Sequence, residues 1–270
     1  MHDVETYLRS GRRRVHGWLH PYSAQLIVDL ATAQRKLGIE GGLGEIGVHM
    51  GKLFLCLHLS RAAGERTFAI DVFGDQQLNL DRSGSGDRQR FLQNVERWAG
   101  SLDDLTIIQR SSMEVDPAEL LQSAGACRLV SIDGGHTEEC TASDLRLVER
   151  ILRPEGVAIL DDCFNEKWPG VVSGLVSYLR DPQSVLRPFA ISPNKLYLSR
   201  REHHQTYQAA LTDTQQSASR KTDRLFAHDV LCLRPKPLSA RIKRAMAETA
   251  AGPYARRLYY RATGRPFEGR

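Results

Sequence analysis

The sequence predicts an α/β fold, a doubly wound and largely parallel sheet with helices on both faces. Two observations carry that expectation. Apolar runs of strand length alternate with stretches of helical periodicity across residues 43–199, the rhythm of repeated β-α units. The apolar runs are also nearly unbroken, as strands buried on both faces require.

Taken in order, Leu43–Val48 (LGEIGV) is the first strand, and Lys52–Ala63 has helical character after it. Thr67–Val72 (TFAIDV) is the second strand. Asp87–Ala99 is an amphipathic helix, with Phe91, Val95 and Trp98 at helical spacing. Leu105–Gln109, Arg128–Ile132 (RLVSI) and Val157–Leu160 (VAIL) are the third, fourth and fifth strands, and a helix over Thr137–Leu152 joins the last two. Val171–Arg180 is a further helix and Lys195–Ser199 (KLYLS) a late strand. Residues 1–40 read as a helical cover for the pocket, 41–200 as the catalytic domain, and 201–270 as a helical and basic C-terminal extension with an amphipathic stretch near Ile242–Thr249. Asn79–Gly86 (NLDRSGSG) is a polar loop.

The bulk properties exclude several classes. A chain of 270 residues, 41% hydrophobic and 26% charged, has the make-up of a water-soluble domain with appendages. No apolar run approaches the roughly 18 residues of a membrane span. The first residues carry charge without the apolar core of a secretion signal, so the expected location is cytoplasmic. The five cysteines, at 56, 127, 140, 163 and 232, form no Cys-x-x-Cys pair and read as buried thiols in a reducing compartment. Ten Lys or Arg against two Glu give residues 231–270 a charge of +8, so the net +5 leaves −3 for the first 230 residues. A mildly acidic body argues against a nucleic-acid-binding one. The basic tail suits pairing of two copies, as in a homodimer, or guidance of an acidic substrate.

The first loop contains two decoys. Gly42-Leu-Gly44-Glu-Ile-Gly47 satisfies G-x-G-x-x-G. In a dinucleotide site, however, the glycines follow the strand, whereas Gly42 and Gly44 precede this one. Gly47 through Gly51-Lys52 hints at a P-loop but is one residue short, and Leu53 replaces the hydroxyl residue that would hold magnesium. What remains is Glu45-x-Gly47-x-x-x-Gly51 at a strand-to-helix turn. Gly47 lets the backbone approach a ligand, and a helix start near Lys52 suits a carboxylate. Asp71 closes the second strand, where an acid commonly holds ribose hydroxyls. Phe73 is placed to flank an adenine.

The fourth strand ends in Ser131-Ile-Asp133-Gly-Gly-His136 and the fifth in Leu160-Asp161-Asp162. If these strands are neighbours, about 4.8 Å apart, three carboxylates converge at the ligand-binding edge of the sheet. Together they repel one another unless a divalent cation joins them, and oxygen donors suit Mg2+, Mn2+ or Ca2+. His136 beside them is a general base, a metal ligand or a helix-start residue. Asn165 and Trp168 follow the acids. Trp168 either stacks on a sugar face or packs in the core.

Together, Glu45-Ile-Gly47-Val-His49-x-Gly51, Ala69-Ile-Asp71-Val-Phe73, Ser131-Ile-Asp133-Gly-Gly-His136-Thr and Leu160-Asp161-Asp162-x-Phe-Asn165-x-x-Trp168-Pro-Gly-Val resemble class I S-adenosylmethionine (SAM)-dependent methyltransferases. They are most similar to metal-dependent sugar O-methyltransferases of the macrocin type, and among these to the sugar methyltransferases of mycobacterial polymethylated polysaccharides. The resemblance covers roughly residues 15–200. It implies a Rossmann-like seven-stranded sheet with an antiparallel last strand. It also implies SAM contacts from Glu45, Gly47, Gly51, Asp71, Phe73, Ser112 and Asp133, and a cation, Mg2+ or Mn2+, on Asp133, Asp161 and Asp162. His136 is the expected base from its own chemistry, and His49, Asn165 and Trp168 are the expected substrate-facing residues. Two departures are visible. The loop Arg110-Ser111-Ser112-Met113 lacks the acid that many relatives place before its serine, and His136 stands where macrocin-type members often place an acidic base. The competing readings are a catechol or amine methyltransferase, an NAD-dependent oxidoreductase, and a non-catalytic anion binder acting through the tail.

Overall fold

Short apolar runs that end in glycine or polar turns make strands that start and stop together. In the computed structural model, which describes residues 2–75, 77–79, 81, 83–214, 219–236, 254 and 257, they do so along one edge. The strands are β1 Gly42–Ile46, β2 Thr67–Ile70, β3 Leu105–Ile108, β4 Cys127–Ile132, β5 Leu152–Asp161, β6 Leu186–Ser192, β7 Lys195–Arg200, β8 Ser219–Leu225 and β9 His228–Arg234. They form one sheet of order β3-β2-β1-β4-β5-β7-β6-β9-β8. β1 to β5 are mutually parallel, while β7 is antiparallel to both β5 and β6. The late antiparallel strand is therefore present. The hairpin β8–β9 joins through a parallel β6–β9 pairing and makes nine strands where seven were expected. The C-terminal extension is thus not helical throughout, and its stretch Ile242–Thr249 lies outside the described residues.

The helices are α1 Val4–Arg9, α2 Pro21–Lys36, α3 Phe54–His58, α4 Arg88–Ala99, α5 Pro117–Ala124, α6 Glu138–Ile151, α7 Pro169–Arg180 and α8 His204–Thr214. Their starts are written locally. The side chains of Asp87, Asp116 and Thr137 accept hydrogen bonds from the backbone N–H of Arg90, Ala118 and Cys140, satisfying donors that a first turn leaves unpaired. α3 is shorter than the Lys52–Ala63 expected. Gly51 has a left-handed φ of +87° before it, and after it the Ser60 hydroxyl bonds the Cys56 carbonyl.

Successive strand residues face opposite layers. Ile46, Ile132 and Leu160 pack with Leu145, Val148 and Leu175 of α6 and α7. Leu43, Leu129 and Ile159 pack with Leu26, Leu30 and Leu211 of α2 and α8. A third cluster joins Tyr7, Phe54, Phe91 and Trp98 from α1, α3 and α4. The registers Ile46↔Ile132 and Ile132↔Leu160 bring three strand ends level. Gly47, Asp133 and Asp161 are thereby set beside the point where strand order reverses, the usual ligand crevice of such sheets. A cavity of about 570 Å3 opens there. Among the described residues, no helix is long and apolar enough to cross a membrane.

Candidate active site

The inner end of the cavity is built largely from backbone. Gly47 leaves β1 with φ +82°, and a β-carbon there would lie 1.7 Å from the Asp133 carbonyl oxygen. Only glycine admits this approach of the β1 and β4 exits. The Asp71 carboxylate accepts from the backbone N–H of His49 (2.6 Å) and of Phe73 (2.5 Å). It thus ties together the turns after β1 and β2, while each oxygen keeps a further lone pair. Burial raises its pKa, partly offset by these two donors. Glu45 is 2% exposed yet lines the cavity, and its Oε2 has no hydrogen-bond partner among the described residues. Burial, with the charge of Asp133 next, pushes its pKa well above the usual carboxylate range. Ser112 lines the far wall.

Two predicted cofactor residues are placed differently. Gly51 does not line the cavity; a β-carbon there would lie 3.0 Å from the Phe91 ring. The Phe73 ring is 1% exposed and lies 5.8 Å from the Phe91 ring, inside the core. The residue still lines the cavity, so it supports the floor from within the core.

The outer end is built from side chains. Ligand atoms of Asp133, His136 and Asp162 lie within 4.8 Å of one another. His136 Nε2 is 3.1 Å from Asp162 Oδ2 and 3.7 Å from Asp133 Oδ1. Its Nδ1 and its backbone N–H both face Asp81 Oδ2, at 2.6 and 2.5 Å. Burial alone would lower the His136 pKa, but the surrounding carboxylates of Asp133, Asp162 and Asp81 outweigh it and raise the value to about 10. Asp162 has a left-handed φ of +55° and accepts from the side-chain amides of Asn165 (2.9 Å) and Asn194 (2.6 Å). Against burial, His136 and these amides hold its pKa down to about 2.

Asp161 departs from the expected ligand set. The register pairs it with Lys195 on β7. The buried Lys195 ammonium bonds its Oδ2, and Asn194 Nδ2 and the Asp162 N–H, each at 2.9 Å, bond its Oδ1. Burial raises the pKa of Asp161 while Lys195 opposes the rise. The ligand atoms that converge include one of His136 in place of one of Asp161. Trp168 is likewise engaged: its ring stacks on His136 at 4.4 Å and 25°. His49 contacts the rings of His16 (5.4 Å) and Trp18 (5.6 Å) at the cavity wall. Gly17, Trp18, Leu19 and His20 also line the cavity.

Sequence reasoning missed Asp81, Asn194 and Lys195. Asp81 belongs to the segment read only as a polar loop. Asn194 and Lys195 adjoin the β6–β7 turn, where Asn194 has φ +64°. An Asn-Lys pair opening an apolar run was the available signal, but only the antiparallel register shows which acids it meets.

Residues 45–163 match the family described as a methyltransferase domain. The fold and this match define an enzyme of the methyl-transferring class. Among solved structures, the chain is similar to the O-methyltransferase NovP, at 15% identity and TM-score 0.55, over 66% of this chain and 79% of that one. It is similar to the SAH-bound methyltransferase PaMTH1 of Podospora anserina, at 12% identity and TM-score 0.52, over 74% and 89%. An O-methyltransferase from Bacillus cereus in complex with SAH matches at 13% and TM-score 0.51, over 72% and 88%. These likenesses are of fold. The comparison with curated proteins returns no match.

The residues present fit the groups that the resemblance implies. A buried, unpartnered Glu45 oxygen beside a glycine cradle suits the ammonium of an amino-acid moiety, and Asp71 suits a ribose. Two carboxylates and an imidazole within 4.8 Å are a donor set for a divalent cation.

Proposed function

We propose that this chain transfers a methyl group from SAM to a sugar hydroxyl, with Mg2+ or Mn2+ bound at the acid cluster. The observation that carries the reading is the meeting of Asp133, His136 and Asp162 at the mouth of a cavity whose inner end is lined by Glu45, Gly47 and Asp71. When bound, the cofactor offers an electrophilic methyl group, and the cation lowers the pKa of a hydroxyl it coordinates.

Glu45, the Gly47 turn and Asp71 would hold the polar ends of the cofactor, with Ser112 along the wall. Asp133 and Asp162 would hold the cation. Asp161 acts one layer below: tied to Lys195 and Asn194, it fixes the turn that presents Asp162. The carboxylates around His136 keep its imidazole protonated; with Asp133 and Asp162 neutralised by a bound cation, Nε2 would be free to take the acceptor proton, and Asp81 at Nδ1 would set the tautomer. Trp168 holds the tilt of the imidazole from one face. The protein thereby orients the oxygen and removes its proton, leaving an in-line displacement to proximity. Asn165, Lys167, His49 and Asn79 give the mouth a polar lining, which suits a saccharide diol over a flat catechol.

A second reading is favoured by one observation. His136 Nε2 lies among the candidate ligand atoms, which would make it a nitrogen ligand to the cation. Turnover with saccharide acceptors, with and without EDTA, and Mn2+ affinity of Asp162→Ala and His136→Ala, test both. The proposal expects EDTA and Asp162→Ala to abolish turnover, while His136→Ala loses turnover and keeps Mn2+. Full turnover in EDTA overturns the metal role, and loss of Mn2+ in His136→Ala selects the ligand reading.

A further inference from the structure

We infer that Trp18 is a stacking platform for a second ring of the acceptor, so that the enzyme works on glycosides or oligosaccharides in preference to single sugars. This rests on the reading of the acceptor as a saccharide. The three tryptophans have separate fates. Trp98 is 3% exposed in the core, and Trp168 is stacked on His136. Trp18 is 74% exposed and lines the active-site cavity. An indole left that open gives up the stabilisation of burial that such a ring ordinarily gains, which makes its position informative.

The ring is not on a loose strand of chain. Lys52 Nζ donates to the Gly17 carbonyl at 2.6 Å, and Arg12 Nη1 donates to the Leu19 carbonyl at 3.2 Å. The imidazole of His20, capping α2, accepts from the Tyr22 N–H at 3.2 Å. The backbone is therefore tied down immediately before and after Trp18. The indole itself leans on His49 (5.6 Å, 44°) and, edge-on, on His16 (5.8 Å, 71°), spacings typical of aromatic contacts. His49 in turn follows the Gly47 turn and is bound through its backbone to Asp71. The two rings thus form a row on the wall of the cavity that also holds Asp133, His136 and Asp162, with His49 half-buried and Trp18 at the exposed end.

The reacting sugar must place its hydroxyl at Asp133, His136 and Asp162. A ring seated there meets His49, and the next position along the row is Trp18. The carbon–hydrogen face of a pyranose is apolar and matches an indole face, while its hydroxyls, at the ring edge, meet the polar lining. The platform therefore selects for a neighbouring ring joined to the one that is methylated.

The test compares SAH formation from SAM with methyl mannoside and with an α-linked mannose disaccharide and trisaccharide, for wild type, Trp18→Ala and Trp18→Phe. SAH affinity serves as the control for an intact cofactor end. The wild type is expected to show a disaccharide-to-monosaccharide ratio of kcat/KM of about tenfold. That ratio should fall towards one in Trp18→Ala, through a raised KM, and be largely kept in Trp18→Phe. Saccharide turnover with a ratio unchanged in Trp18→Ala overturns this inference alone. No turnover of any saccharide by the wild type overturns the saccharide reading, and this inference with it.

Discussion

The two ends of the cavity are made of different material. The inner end consists of strand exits held by backbone: Gly47 against the Asp133 carbonyl, and Asp71 clasping the N–H groups of His49 and Phe73. The outer end consists of side chains brought from distant places: His136 after β4, Asp162 after β5, Asn194 from the β6–β7 turn and Asp81 from a loop. Backbone construction couples cofactor binding to folding, since the same atoms serve both. Side-chain construction separates chemistry from folding, because a carboxylate or imidazole can be removed while the strands stay paired. The sharpest way to break this comparison is to find a change at one end that behaves like the other.

The largest effect is expected at the outer end. His136→Ala should lower kcat by about 10²–10⁴-fold with little change in SAH affinity, measured by calorimetry; a parallel loss of SAH binding would break the separation. Lys195→Met comes next. It strands the buried Asp161 carboxylate, which should cost about 3–5 kcal/mol in urea unfolding. Adding Asp161→Asn should recover much of that loss, and no recovery would mean that the pair is not the source of the effect. Gly47→Ala follows, with about 1–3 kcal/mol from left-handed strain before the clash with Asp133 is counted. Stability and SAH affinity should fall together, and a stable variant that merely turns over slowly would contradict backbone coupling. The smallest effect is Asp71→Asn. It should weaken SAH by about tenfold, the scale of one lost charge-assisted hydrogen bond, with the unfolding midpoint moving modestly.

The same division decides what could be read from the sequence. β1 to β5 and β7 were legible because each is an apolar run, and the capping residues Asp87 and Thr137 mark helix starts by local chemistry. The meeting of Asp133 with Asp161 and Asp162 was legible once β4 and β5 were taken as neighbours. β6 was not: Pro188 interrupts its pattern, and the register shifts between Pro188 and Ala190, as expected where proline enters a strand. The hairpin β8–β9 begins SRKTDRL, a stretch without the apolar alternation that signals a strand. The division of labour between Asp161 and Asp162 was also hidden. Adjacent residues point to opposite sides of a strand end, and which one meets Lys195 depends on an antiparallel register that no local motif encodes. The stacking of Trp168 on His136 was hidden for the same reason, since it is a tertiary contact.

The hairpin has a consequence for how two copies of this chain can meet. Without it the sheet would end on β6, whose unpaired backbone edge could accept a strand from another molecule. With it, the last strand is β8, exposed from Ser219 to Arg224 and carrying Arg220, Lys221, Asp223 and Arg224. Charges on a border strand discourage a second strand from docking. The opposite border, β3, is only four residues long. Among the described residues, both borders of the sheet are thus poor templates for extension by a strand of a second copy.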